Sequence, residues 1–221
     1  MNQHLRFDLD YLLRHLPDFL PAMLLALEIF AVALFVAFFA GVVLAVARLS
    51  RGPLYVAATA YIEFYRNTPL LIQLYFVFFG LPAAGIVFSP FVSGVVALAA
   101  QHAAFFAEIL RGTIQSISHN QREAGLALGM MPQSVTRLVI LPQAIRNAIP
   151  AMGNQLVLLL HDTSLVSTIG VVEITLRGRT LAEQSAASFE MFFAVGMIYL
   201  LLSAIFSLLM RGVEQAYRFA R

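Results

Sequence analysis

The chain has 221 residues, 60% of them hydrophobic and 12% charged, with a formal net charge of +2. Soluble domains carry roughly 25% charged residues, so this composition does not fit an ordinary water-soluble globule. The absence of cysteine removes disulfides, thiolate metal sites and cysteine nucleophiles, and no basic stripe interleaved with aromatics makes a case for nucleic acid.

The opening segment, "FDLDYLLRHLPDFLP" (7–21), sets apolar residues at helical spacing with Asp8, Asp10 and Arg14 between them. Residues 1–18 are therefore expected either to lie along the outer membrane interface as an amphipathic helix or to fray as a tail. A membrane-spanning helix needs about 20 predominantly apolar residues. The run 19–47 meets this, with Glu28 as its one charge. It exceeds the apolar core of a signal peptide, about 7–15 residues, and is read as an uncleaved first span despite the cleavage-like Ala45-Val-Ala47. Further spans are expected at 57–81, at 88–110, from 145 past 160, and at 189–210. Five spans make an all-α membrane protein with its termini on opposite sides.

Arginine bias sets the direction. With the end of the last span inside, Arg48, Arg51, Arg111, Arg122, Arg137, Arg146, Arg211, Arg218 and Arg221 are cytoplasmic, against Arg6, Arg14, Arg177 and Arg179 outside. The N-terminus is therefore expected outside and the loop 112–142 in the cytoplasm.

That loop contains "EAGLALGMMPQSVTRLVILP" (123–142). Asn120 with Glu123 three residues on reads as a capping box, Gly129 as a left-handed stop and Pro132 as the first residue of the next helix. The expected product is a helix over 121–128 that exposes Ala and Leu. Isolated helices under about 12 residues are marginal in water, so this one needs packing, on its own chain or in a partner's groove. Connectors between helices usually run 2–8 residues; a capped apolar helix in a longer one suggests a docking knob.

The spacing Glu123-Ala124-Gly125, Gly129, Val139, Leu141, Pro142 resembles the EAA loop of ABC-importer permeases. "YIEFYRNTPLLIQLYFVFFGLP" (61–82), "AEILRGTIQSI" (107–117), "LPQAIRNAIPAMGNQLVLLL" (141–160) and "DTSLVSTIGVVEIT" (162–175) extend the likeness to the polar amino-acid uptake subfamily, from about residue 26 to the end. Gly125 stands where that family has alanine and Val139 where it has isoleucine. His161, His119-Asn120 and Gln101-His102 depart further. The resemblance implies a type I ABC importer (MetI-like) fold forming a single permease domain over 1–221. It also implies a membrane-spanning transport subunit in the bacterial inner membrane rather than an enzyme. Docking of an ATPase is then expected through Asn120, Glu123, Ala124, Gly125, Ala127, Leu128, Gly129 and Pro132. The implied partners are ABC ATPase subunits, an extracytoplasmic amino-acid-binding protein, membrane lipid and a second permease subunit, identical or similar. ATP and Mg would bind the ATPase chain, since no G-x-x-x-x-G-K-[ST] occurs here.

Ionisable groups inside spans are costly and are functional candidates by default. Glu63 and Arg66, one turn apart, are expected to pair beside Pro69 as a structural hinge, and Glu108 with Arg111 as an interfacial pair holding the loop. Glu28 would snorkel or face a partner subunit. His102 reads as hydrogen-bonded packing, with Gln101 beside it. The fourth span carries Asn154, Gln155, His161, Asp162, Thr163 and Ser164, and is long enough for a break near Asp162. Asp162 could meet a substrate ammonium with Asn154 and Gln155 as neutral partners; it could equally pair with His161 or cap the second half through Thr163 and Ser164. Two rivals remain. One is an ion-coupled secondary transporter relaying protons through Asp162, Glu28 or His102. The other is an intramembrane hydrolase, which lacks both a G-x-S-x-G elbow and an H-E-x-x-H pattern.

Overall fold

A computed structural model describes residues 7–185 and 187–218; Arg6 and Arg221 of the arginine count, and residues 1–6 of the amphipathic segment, lie outside them. Every regular element among the described residues is helical. In chain order these are α1 (Leu9–His15), α2 (Leu20–Leu49), α3 (Pro53–Asn67), α4 (Leu70–Tyr75), α5 (Pro90–Ser116), α6 (His119–Ala127), α7 (Pro132–Val135), α8 (Leu141–Asp162), α9 (Ile174–Ser185) and α10 (Ser188–Arg218). Short π- or 3-10 segments fill several of the joints, Thr163–Ile169 among them.

Three helical stretches are individually long and apolar enough to cross a membrane: Leu9–Leu49, Pro90–Ser116 and Ser188–Ala216. The number reaches five if Pro53–Asn67 with Leu70–Ala84, and Pro132–Ile169 with Ile174–Gln184, each count as one broken span. The second and fourth expected spans are therefore not single rods. The second breaks at Thr68, which is extended (φ −115°, ψ 142°) because Pro69 disfavours helical backbone in the residue before it. The carbonyls released there are not left bare. Thr68 Oγ1 donates to the Phe64 carbonyl at 2.9 Å and Asn67 Nδ2 to that of Glu63 at 2.7 Å.

The described residues fall into two compact units, and α2, α5, α8 and α10 contribute to both. In the first unit (to residue 34, 70–98 and 158–205), α2 buries Ala22, Ala26, Ile29 and Phe30, with Leu98, Leu160, Val166, Ile174 and Met191 also buried there. Its start is tied down by α1. The Asp8 side chain caps α1 by accepting from Tyr11 N at 2.9 Å, while Asp8 N donates to the buried Glu190 at 2.8 Å. Phe7 packs edge-on against Phe189 and Phe193, and Leu9, Leu13 and Leu16 stay exposed.

The second unit (35–69, 99–157 and from 206) clusters Ala45, Ile62, Ala104 and Ala107, with Tyr61, Tyr65 and Leu110 against them. Small residues let backbones approach closely where no water drives the helices together. Beside this core Glu108 gathers three arginines: Arg48 at 2.7 Å, Arg66 at 3.7 Å and Arg111 one turn along α5. The expected Glu108–Arg111 pair is thus present within a larger cluster. The expected Glu63–Arg66 pair is replaced, because Glu63 meets Arg48 at 3.3 Å and Asn67 at 3.2 Å while Arg66 turns to Glu108. Glu108, with its side chain 22% exposed against 51% for Glu63, offers a less screened charge, so the tertiary pairing wins over the local one.

Glu108→Gln removes the carboxylate these three arginines share. It should destabilise the protein by about 2–3 kcal/mol, whereas Arg66→Gln, at longer range and more exposed, should cost under about 1 kcal/mol. Thermal unfolding of the purified chain in detergent checks the order.

Candidate functional site: the α6 loop and the α8 break

Helix α6 begins two residues earlier than its sequence suggests. Ser118 is the N-cap, its hydroxyl accepting from Asn120 N at 3.3 Å. Asn120 therefore lies inside the first turn, and no capping box forms with Glu123. Glu123 sits two residues past the capping-box position, and its carboxylate approaches His119 Nδ1 at 3.2 Å. The far end agrees with expectation. Gly129 is left-handed (φ 79°), Gly129 N donates to the Leu126 carbonyl at 3.0 Å and Met130 N to that of Gly125 at 3.1 Å. This pair of bonds is the Schellman closure. Pro132 then opens α7.

Gly125 is the buried residue of α6. A Cβ there would stand 2.8 Å from Val135 Cγ2 and 3.2 Å from Cγ1. The departure from alanine at this position thus goes with close packing of α6 on α7, with a β-branched valine in the space an alanine methyl would need. Around this contact the loop is bare: Leu128 is 83% exposed, Met131 70%, and Leu126 and Leu138 are also exposed. Ala124, Ala127 and Glu123 share that exposure.

The polar residues of the fourth span separate into two groups. In the second unit Gln155 is buried and its Nε2 donates to Nδ1 of the fully buried His102 at 2.7 Å. This contact holds His102 in the packed interior and commits much of Gln155's hydrogen bonding. Gln101 keeps a buried Oε1 with no partner. Asn154 is exposed. In the first unit α8 ends at Asp162, and the chain tightens into the 3-10 turn Thr163–Ile169. The change of direction comes later, at the left-handed Gly170 (φ 88°), where the following helix leaves at 51°.

Asp162 precedes that turn without a side-chain capping bond, so the capping role weighed from sequence is not what the geometry shows. His161 Nε2 meets Ser203 Oγ at 2.7 Å rather than its neighbour. Thr163 is buried and its hydroxyl donates to the Leu160 carbonyl at 2.7 Å; the Ser164 carbonyl accepts from Ser167 Oγ at 2.6 Å. Asp162 itself is half-buried.

Sequence reasoning passed over Glu173. This fully buried acid precedes α9 and accepts from Thr175 N at 2.9 Å, Leu176 N at 3.0 Å and Tyr199 Oη at 2.8 Å. An acid just before a helix is the only local sign of such a cap, and it gives no warning of the burial.

The Gly125–Val135 contact has a signed consequence. Gly125→Ala gains about 1 kcal/mol of helix propensity against about 1–3 kcal/mol of overpacking. It should destabilise the protein when residue 135 is valine and stabilise it in a Val135→Ala background, as read by unfolding of the four variants.

Comparison with known proteins places this geometry. The family model for the inner membrane component of binding-protein-dependent transport systems matches residues 33–219. A probable amino-acid ABC transporter permease of Sinorhizobium fredii is 38% identical over 209 residues, covering 94% of this chain and 90% of that protein. The glutamine transport system permease of Escherichia coli is 38% identical over 160 residues, 72% of this chain and 73% of that one. The L-cystine transport system permease of Bacillus subtilis is 33% identical over 217 residues, 95% and 91% of the two chains. Among solved structures, a crystal structure of an amino acid ABC transporter with histidines superposes with a TM-score of 0.91 at 32% identity, covering 96% of this chain and 100% of that chain. An inward-facing methionine ABC transporter shares the fold, with a TM-score of 0.71 at 20% identity over 90% of this chain and 95% of its own. The chain is all-α with a MetI-like fold, and it belongs to the family of inner membrane components of binding-protein-dependent transport systems.

Proposed function

We propose that this permease carries a polar amino acid into the cell, by alternating access coupled to ATP hydrolysis on separate subunits. The chain is a multi-pass membrane transport subunit of an ABC importer, not an enzyme. Its family implies an ATPase and a substrate-binding protein as partners. The amino-acid assignment is supported by relatives named for amino-acid, glutamine and L-cystine transport. An ion-coupled mechanism finds no support among them. In this reading residues 1–221 act as one permease domain, with the segment 1–18 at the outer interface and the loop 112–142 coupling to the ATPase. ATP and Mg stay on the ATPase chain, and the permease pairs with an identical or similar subunit.

The observation that carries the coupling role is the α6 knob: a short helix closed at both ends, packed on α7 through Gly125, with Leu128 and Met131 turned outward. Such a body can transmit a push without unfolding. Asn120, Glu123, Ala124, Ala127, Leu128, Gly129 and Pro132 form or shape its surface. Asp162, Asn154, Gln155, Thr163, Ser164 and Gln101 remain candidates for the substrate route. Of these, Asn154 is the exposed one, while the hydroxyl of Thr163 and the amide of Gln155 are already engaged.

Glu123→Lys and Gly129→Asp should each reduce copurification of the ATPase without reducing membrane insertion. At Gly129 nothing lies within 4 Å of an added Cβ, so the local cost is backbone strain of about 1–2 kcal/mol, and the new charge acts on the partner. Full ATPase recovery with both variants would remove the docking role.

Orientation can be read in intact cells, because the chain has no cysteine of its own. Ser116→Cys should label only with a membrane-permeant reagent and Gln184→Cys with an impermeant one. The reverse pattern would place α6 outside.

Asp162→Asn keeps the shape and loses the charge. If the carboxylate meets a substrate ammonium, uptake should fall about tenfold or more, while the complex still assembles and the ATPase still responds to loaded binding protein. Uptake near the wild-type rate would exclude the ammonium contact.

A further inference from the structure

Within the second unit, α8 and α10 flank a cleft of about 200 Å³ whose walls include Gly153, Asn154, Ser207, Met210, Arg211 and Glu214. Gly153 lets α10 come close beside the cleft: a Cβ there would stand 3.2 Å from Met210 Cβ and 3.3 Å from its Cγ, so a side chain would push this wall aside. Arg211 and Glu214 lie three residues apart on α10, a spacing that allows an ion pair. They do not form one, and neither has a partner among the described residues. A cation, an anion, an amide and a hydroxyl therefore line one small cleft, and among the described residues nothing pairs with either charge. The volume is below the roughly 300–1,000 Å³ of sites for drug-sized ligands, which suits a smaller molecule.

We propose that this cleft is a second binding site for a free α-amino acid, on the side of the membrane where transport ends. Arg211 takes the carboxylate through its fork of N–H donors, Glu214 takes the ammonium, and Asn154 bonds the neutral edge. The arginine bias places this end of α10 in the cytoplasm. The site thus meets the internal pool, and this assignment rests on the transport reading and orientation given above. Arg211 is exposed and Glu214 half-buried. Water screens both charges, and binding is weak enough for the site to release its ligand.

A zwitterion is also the chemistry of a phosphatidylethanolamine headgroup, so the test separates the two sources. Ser207→Cys supplies the chain's single cysteine inside the cleft. The permease, complexed with its ATPase, is placed in phosphatidylcholine nanodiscs, and the rate of maleimide labelling is followed with L-glutamine, L-histidine or L-arginine at millimolar concentration. At least one should slow labelling, and its N-acetylated form should not. Arg211→Gln and Glu214→Gln in the same background should each raise the half-protecting concentration about tenfold or more. Absence of protection by all three overturns the proposal, as does protection unchanged in both variants or matched by the acetylated form. Protection that appears only with phosphatidylethanolamine in the disc assigns the cleft to lipid instead. ATP-driven uptake is measured on the same complex. Protection without uptake would sink the transport reading and leave the site standing, whereas uptake without protection would sink the site alone.

Discussion

In a chain this apolar, every backbone polar group that leaves a helix must find a partner within the protein, because lipid offers none. The breaks in the helices show how the constraint is met. At Thr68–Pro69 the side chains of Asn67 and Thr68 bond back onto the helix they end. At Asp162 the hydroxyl of Thr163 does so. Ahead of α9 the buried Glu173 accepts from two amides and from Tyr199. A break in lipid without such a partner would cost several kcal/mol per group. These polar residues, rather than the apolar majority, therefore decide where the chain is able to turn.

Charge follows the same economy. The arginines and glutamates beside the second unit's core converge on Glu108, joining α2, α3 and α5 where α5 leads toward the α6 loop. Two bonded arginines on one carboxylate, with a third near, leave a tightly held junction at the base of the segment proposed to couple to the ATPase. Beyond it the loop is stiff for a different reason. Gly125 lets α6 seat against Val135 without a gap, and Leu128 and Met131 are held outward on the resulting wedge. A clamped base and a rigid tip suit the coupling role proposed for this loop, since a flexible element would dissipate the motion it receives.

Much of this was open to inspection in the sequence alone. Hydrophobic runs of about 20 residues identified the membrane class and the candidate spans. Gly129 and Pro132 marked the end of one helix and the start of the next, because a left-handed stop and a missing N–H act within a few residues of backbone. The EAA spacing, with the ordered blocks around it, pointed to the permease family. What the sequence could not decide was partner choice. Glu63 and Arg66 satisfy the local rule for an ion pair, yet each bonds elsewhere, because Arg48 and Glu108 arrive from helices distant in sequence. Asn120 and Glu123 satisfy the rule for a capping box, but Ser118 reaches the amide first. Glu173 carries no periodic signal at all, and its burial exists only once Tyr199 and α9 surround it. Residues whose roles follow from their own backbone could be read in one dimension; those whose energies depend on exposure and on distant partners were decided by the fold, since burial and proximity are properties of the packed chain.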